Sequence, residues 1–206
     1  MIRKLTKSEI DAFFAKLTKP TEVDEDVGYR LSSEETKICQ QLVSLGIIAK
    51  IPKLPPPILR AYDPSDEERW ILLDVLLRAK VLAHFDAESG FFPVPYGELL
   101  HESLIPIASG LGHVVAGVGR KREGEQCTYK IALATREVGV ATSFSDSSDY
   151  FHVPNLIELW NELFEAAGSP KRFMEIDSED QTALVLCATR RAAQALSDRT
   201  GLGISV

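Results

Sequence analysis

The sequence is poor in the features that usually identify an activity. Cysteine occurs three times in 206 residues, at Cys39, Cys127 and Cys187, far apart and odd in number. That fits reduced cytosolic thiols better than a disulfide framework, and the lack of any CxxC pair leaves no zinc-site spacing. No apolar run is long and clean. The most apolar stretch, Trp70 to Phe85, carries Asp74, Arg78, Lys80 and His84 and is too short and charged to span a bilayer. The start, Met1 to Lys7, has no apolar h-region behind its charges, so no secretory signal is expected. The chain reads as a cytoplasmic protein with no membrane partner.

Catalytic motifs are absent on physical grounds. His101-Glu102 would open a zinc-protease motif only with a second His at 105, where both ligands would share one helical face, and residue 105 is Ile. The glycines of Gly110-Leu111-Gly112 lack a Gly-Lys-Ser/Thr ending and lead into an expected strand, so no helix dipole would face a phosphate. No Gly-x-Ser-x-Gly elbow exists for a serine hydrolase. Cys127 and His113 fall on two strands expected to face each other, but nothing orders them as nucleophile and base. The basic groups, Arg120-Lys121-Arg122 and Arg190-Arg191, are few, separated and without an aromatic stacking array, so nucleic acid is not expected as a partner. No cofactor is expected either.

Positive charge has its own gap. The formal net charge is −7, and no Lys or Arg occurs between Arg136 and Lys171. That interval holds Glu137, Asp146, Asp149, Glu158, Glu162 and Glu165. Such a block repels phosphate backbones and attracts cationic surfaces. Its plain explanation is a well-solvated acidic surface. Glu158, Glu162 and Glu165 would form one polar stripe of a helix without any Lys at i+4 to relieve their repulsion. A basic protein covering them would supply that relief.

What the chain does have is clear helix punctuation. Thr6 with Glu9, Ser32 with Glu35 and Ser65 with Glu68 each place a hydroxyl three residues ahead of a carboxylate and just before an apolar run. In such a capping box the hydroxyl takes an orphan N–H and the carboxylate reaches back to the cap's own N–H. Helices are expected over about 7–17, 33–45 and 66–85, the second stopped by Gly46 and the third buried from several sides. Asp74 stands four residues before Arg78 and is expected to pair with it. Between the second and third helices runs Ile51-Pro52-Lys53-Leu54-Pro55-Pro56-Pro57-Ile58-Leu59, a stiff spacer. Its apolar residues (Ile51, Leu54, Ile58, Leu59) suggest that it lies against its own protein; the other reading is a ligand for an aromatic groove. A shorter fourth helix is expected from Gly97 to near Pro106.

From His113 the period shortens. Runs 113–119 and 127–134 flank a polar turn at 120–125 and read as a hairpin, with a third strand over 138–144. The best-defined helix comes next. Leu156, Leu159, Trp160, Leu163, Phe164 and Ala167 recur at i, i+3, i+4, i+7, i+8 and i+11, with Pro154 near the start and Gly168 past the end. Burying its five large side chains would contribute roughly 7–15 kcal/mol gross, before entropy. Beyond it, 173–176 and 182–188 read as a hairpin, with Thr189 capping a helix that Gly201 ends. A long helix opened by Ser178 and Gln181 is the alternative for that segment.

The expected class is therefore α+β: a helical N-terminal half packed on a small, mainly antiparallel sheet, with one long amphipathic helix and a C-terminal helix. The expected organisation is a helical segment over 1–50, a Pro-rich spacer over 51–64 and an α+β unit over 65–206, or one compact domain overall. The functional reading is a non-enzymatic acidic interaction protein, of inhibitor or immunity type, that masks a basic partner with Asp146, Asp149, Glu158, Glu162 and Glu165. The alternative is a metal-dependent hydrolase or small-ligand binder. There Asp146, Asp149 and His152, spaced by three in a polar loop, would hold a cation or activate water. Two acids and one imidazole do not complete a coordination sphere.

Overall fold

The computed structural model describes residues 2–16, 29–59, 67–86, 104, 107–108, 114–123, 126–135, 137–146, 153–178 and 182–205. Its elements, in chain order, are β1 (Arg3–Lys4), α1 (Lys7–Lys16), α2 (Ser33–Ser44), α3 (Glu67–Arg78), β2 (Leu82–Asp86), β3 (Val114–Glu123), β4 (Gln126–Ala134), β5 (Gly139–Asp146), α4 (Val153–Ala166), β6 (Lys171–Ile176), β7 (Thr182–Thr189) and α5 (Arg190–Thr200). The α+β class expected from the sequence is the class observed. No helix among the described residues is long and apolar enough to cross a membrane.

Two antiparallel sheets form, one in the order β1-β5-β4-β3 and the other in the order β2-β7-β6. The second sheet is the middle layer. Side chains alternate across a strand, and along β7 they divide between two cores: Leu184, Leu186 and Ala188 join one, Ala183, Val185 and Cys187 the other. The first core is completed by α2, α3 and α5 through Cys39, Leu42, Leu73, Leu76, Ala193 and Leu196. The second is completed by α4 and the other sheet through Trp160, Leu163, Phe164, Ile131, Leu133 and Val140. A strand buried on both faces needs an unbroken apolar run, which is why 183–188 lacks alternation and is not the helix that Ser178 and Gln181 could have opened.

Two of the expected capping boxes are made. The Thr6 N–H donates to Glu9 Oε2 at 2.8 Å and the Glu9 N–H to Thr6 Oγ1 at 3.3 Å. The Ser32 N–H donates to Glu35 Oε2 at 2.6 Å and the Glu35 N–H to Ser32 Oγ at 3.1 Å. Ser65 lies outside the described residues. Thr189 caps α5 as expected, accepting from the Ala192 N–H, and Gly201 closes it at φ 72°.

The third helix is shorter than its apolarity suggests. It ends at Arg78 instead of continuing to Phe85, and 82–86 is a strand paired with β7. The stop is a Schellman motif: Lys80 sits at φ 56°, its N–H donates to Leu77 O at 2.9 Å, and the Val81 N–H donates to Leu76 O at 3.1 Å. The same pattern ends α2 at Gly46 and α4 at Gly168, where glycine makes it legible. Lysine in the left-handed region gives no such signal.

The expected turn at 120–125 is also narrower than its polarity implied. Arg120 to Glu123 belong to β3 and pair with Tyr129 to Gln126. Among the described residues β3 is the outer strand of its sheet, and charged residues on such a strand are ordinary protection of an edge. Cys127 pairs with Arg122, at the opposite end of the ladder from Val114, and His113 lies outside the described residues. Most of the expected fourth helix also lies outside them: only Leu104 is described, buried in the second core with Ile107 and Ala108.

Candidate functional site

The outer face of α4 is built by its inner one. Trp160, Leu163 and Phe164 are fully buried, and Phe173 of β6 packs edge-on against Trp160 with ring centroids 5.6 Å apart and an interplanar angle of 88°. That aromatic cluster fixes the helix about its own axis. Helical periodicity then directs Glu158, Glu162 and Glu165 outward, and all three are exposed. Asn161 adds a second clamp. Its Nδ2 donates to Phe173 O at 2.9 Å and its Oδ1 accepts the Phe173 N–H at 2.8 Å, so a side-chain amide stands where a neighbouring strand would pair.

The three glutamates are not equivalent. Arg172 Nη2 lies 3.4 Å from Glu165 Oε2, while its Nη1 donates to Ser169 O at 2.6 Å and Lys171 O at 2.7 Å. Arg172 therefore braces the turn between α4 and β6 and shields Glu165 only in part. Glu158 and Glu162 meet no cation among the described residues. Asp146 ends β5, opposite Cys127 in the β4–β5 ladder. Asp149 and His152 lie outside the described residues, so the expected Asp146, Asp149 and His152 grouping is neither assembled nor separated here. Among the described residues, no group of three or more His, Cys, Asp and Glu stands close enough to hold a metal ion.

A buried ionic network joins α2, α3 and the chain between them, and the sequence shows it only in fragments. Arg78 is buried and donates Nε to Asp74 Oδ2 at 2.5 Å, Nη2 to Glu35 Oε1, and Nη1 to Pro55 O at 2.7 Å. The other oxygen of Asp74 accepts the Ile58 and Leu59 N–H groups, both at 2.8 Å. The Tyr29 hydroxyl donates to Glu35 Oε2 at 2.8 Å, and the Arg78 guanidinium lies 5.5 Å from the Tyr29 ring centre. Burial pushes the Glu35 carboxyl up, but the Ser32 N–H, Arg78 and the Tyr29 hydroxyl outweigh it and hold its pKa at about 2. Burial, then the Glu35 carboxylate, raises the Tyr29 hydroxyl. The expected Asp74–Arg78 pair is present; the second acid, 43 residues away in sequence, is what spacing could not reveal.

A cleft of about 690 Å³ opens between α2, α3, the end of β6 and the chain after α5. Lys37, Arg69 and Arg199 line it together with Glu34, Glu68 and Asp177. Three charges of each sign favour neither an anion nor a cation, and no His or Cys lines the cleft. The thiols resolved elsewhere are inert: Cys39 and Cys187 are buried, and burial pushes Cys187 up to about 12. A thiolate nucleophile is not available from either at neutral pH.

No family model, no curated protein and no solved structure matches this chain.

Proposed function

We propose that this is a non-enzymatic binding protein that uses the acidic outer face of α4 to cover a basic protein partner, as an inhibitor or immunity-type protein would. One observation carries the reading: Glu158 and Glu162 are exposed on a helix locked by its buried aromatic face, and no cation among the described residues compensates them. Like charges on one helix face cost a few tenths of a kcal/mol per pair. A cationic partner would remove that cost and be steered onto the face by it. Asp146, the last residue of β5, and Asp149 belong to the same base-free interval of the sequence and would add to the negative charge. We place the protein in the cytoplasm, in keeping with its odd number of widely spaced cysteines.

The test is recovery of the tagged protein from its native host at low salt, beside a Glu158→Lys, Glu162→Lys, Glu165→Lys, Asp146→Lys, Asp149→Lys variant. The expected result is a basic protein that co-purifies with the wild type, is released by salt, and associates more slowly with the variant by on the order of a hundredfold at low ionic strength. If every complex of the wild type survives charge reversal with unchanged affinity and salt dependence, the reading is wrong.

A further inference from the structure

The chain from Ile51 to Leu59 forms neither helix nor strand and bends at Pro56. One residue of it is truly sunk: Leu54 is 5% exposed and joins the first core. The others expected to lie against the protein do not all do so. Ile58 is 63% exposed and Ile51 42%, and Pro55, Pro56 and Pro57 between them are exposed as well. Among the described residues the only other large aliphatic side chain so placed is Val138. Two of the three exposed large aliphatic side chains among the described residues thus stand on this one segment.

Its backbone is held from beneath by the buried charges. Pro55 O accepts from Arg78, and the Ile58 and Leu59 N–H groups donate to Asp74. Taking three ionised groups out of water costs several kcal/mol per ion before their mutual attraction and hydrogen bonds offset it. A mere connection between α2 and α3 could run over the surface without such an anchor. The anchor fixes the chain so that its backbone faces inward and its prolines and isoleucines face solvent. Proline restricts φ, and the residue before a proline is confined to extended conformations, which applies to Leu54, Pro55 and Pro56 in turn. The ridge is therefore ordered before anything touches it.

Its chemistry defines its complement. Three consecutive prolines offer no N–H donor, only ring faces and carbonyl acceptors. Aromatic side chains that carry a donor, Trp and Tyr, match such a surface. Lys50 and Lys53 are exposed on the same segment of a chain whose net charge is −7, so the ridge is locally basic. We propose that Lys50 to Ile58 is a preorganised docking ridge for a partner protein that presents an aromatic-lined groove with an acidic rim. This surface is distinct from the acidic face of α4 and does not rest on it.

The experiment titrates the isotope-labelled full chain with a panel of purified SH3 and WW domains whose grooves have acidic rims. At least one member is expected to bind saturably, with amide shifts confined to residues 50–59. Ile58→Ser and the double variant Pro55→Ala/Pro56→Ala, both on exposed positions, are expected to weaken that binding at least about tenfold. Asp74→Asn, which leaves the ridge sequence intact but loosens its mount, is expected to weaken it by about tenfold as well, the factor for re-ordering one backbone residue. No shift at 50–59 from any member at millimolar concentration overturns the proposal, as does binding centred on α4. Wild-type affinity in a folded Asp74→Asn overturns the role given to the mount; should that variant unfold, the exposed variants decide alone.

Discussion

Replacing Arg78 with methionine would remove the one cation that two buried carboxylates share. The Arg78 side chain has no exposure, and those of Glu35 and Asp74 are 5% and 4% exposed. Methionine occupies a similar volume, so the cavity contribution is small; the change removes the charge and, with it, the hydrogen bond to Pro55 O. Neither acid is left bare. Asp74 keeps the Ile58 and Leu59 N–H groups, and Glu35 keeps the Ser32 N–H and the Tyr29 hydroxyl. Both nevertheless lose the cation that faces them, in a place out of reach of water. Breaking a buried pair by deleting one partner costs about 3–5 kcal/mol. With two acids orphaned and each retaining two hydrogen bonds, a loss of about 4 kcal/mol is expected. Against a usual total of about 5–15 kcal/mol, that is a large fraction of the stability. Urea unfolding at pH 7, monitored by tryptophan fluorescence and far-UV circular dichroism, reads the loss as a lower midpoint at unchanged slope. The control is the neutral triple variant Glu35→Gln/Asp74→Asn/Arg78→Met, which keeps the shapes and removes every charge. It should recover a substantial part of the loss. A loss below about 1 kcal/mol for Arg78→Met, or a triple variant no better than the single one, would refute the electrostatic reasoning.

Acid should weaken the same network. The Glu35 carboxyl falls from its ordinary 4.5 to about 2 in the folded chain, so its contribution is complete above the unfolded-state value and disappears as pH drops toward 2. Glu35→Gln is therefore expected to be less stable than wild type at pH 7, with a gap that closes between about pH 4.5 and 2; urea midpoints that keep a constant gap over this range would contradict it. Asn161→Leu should strip both partners from Phe173, costing about 2–4 kcal/mol and opening the edge of β6. Amide exchange at Phe173 should accelerate and concentration-dependent association should appear on size-exclusion chromatography; an unchanged Phe173 amide would show that the clamp does not hold the edge.

Local chemistry was legible, and contacts between distant residues were not. The capping boxes at Thr6 and Ser32, the amphipathic stripe of α4 and the Thr189 cap each depend on residues within a few positions of one another, and each forms as read. The unbroken apolarity of 183–188 could be read as a strand because Thr189 and Gly201 mark the two ends of α5 directly after it. The end of α3 was hidden because Lys80 takes the conformation that glycine takes after α2 and α4. The acidic stripe was visible from periodicity, whereas the partial cover that Arg172 gives Glu165 depends on how β6 returns beside the helix. Arg78 shows the limit most clearly. Its i+4 partner Asp74 could be found by counting, but its contacts with Glu35 and Pro55 reach back 43 and 23 residues. Only the packed fold brings those groups together.

The middle sheet decides how independent the two proposed surfaces are. The prolines are mounted on α3 and so belong to the core that Leu184, Leu186 and Ala188 face, while α4 packs on the core that Val185 and Cys187 face. Only β7 and its neighbours lie between. Helices of 12 residues such as α2 and α3 are marginal alone, so their order comes from the packing and from the ionic anchor that joins them. Loosening that anchor would free the proline ridge and the helices together. The aromatic cluster under α4 has its own contacts with β6 and would be disturbed only through the shared strands. A partner at the acidic face and another at the proline ridge are therefore expected to act nearly additively, because the two surfaces rest on cores that have no buried residue in common.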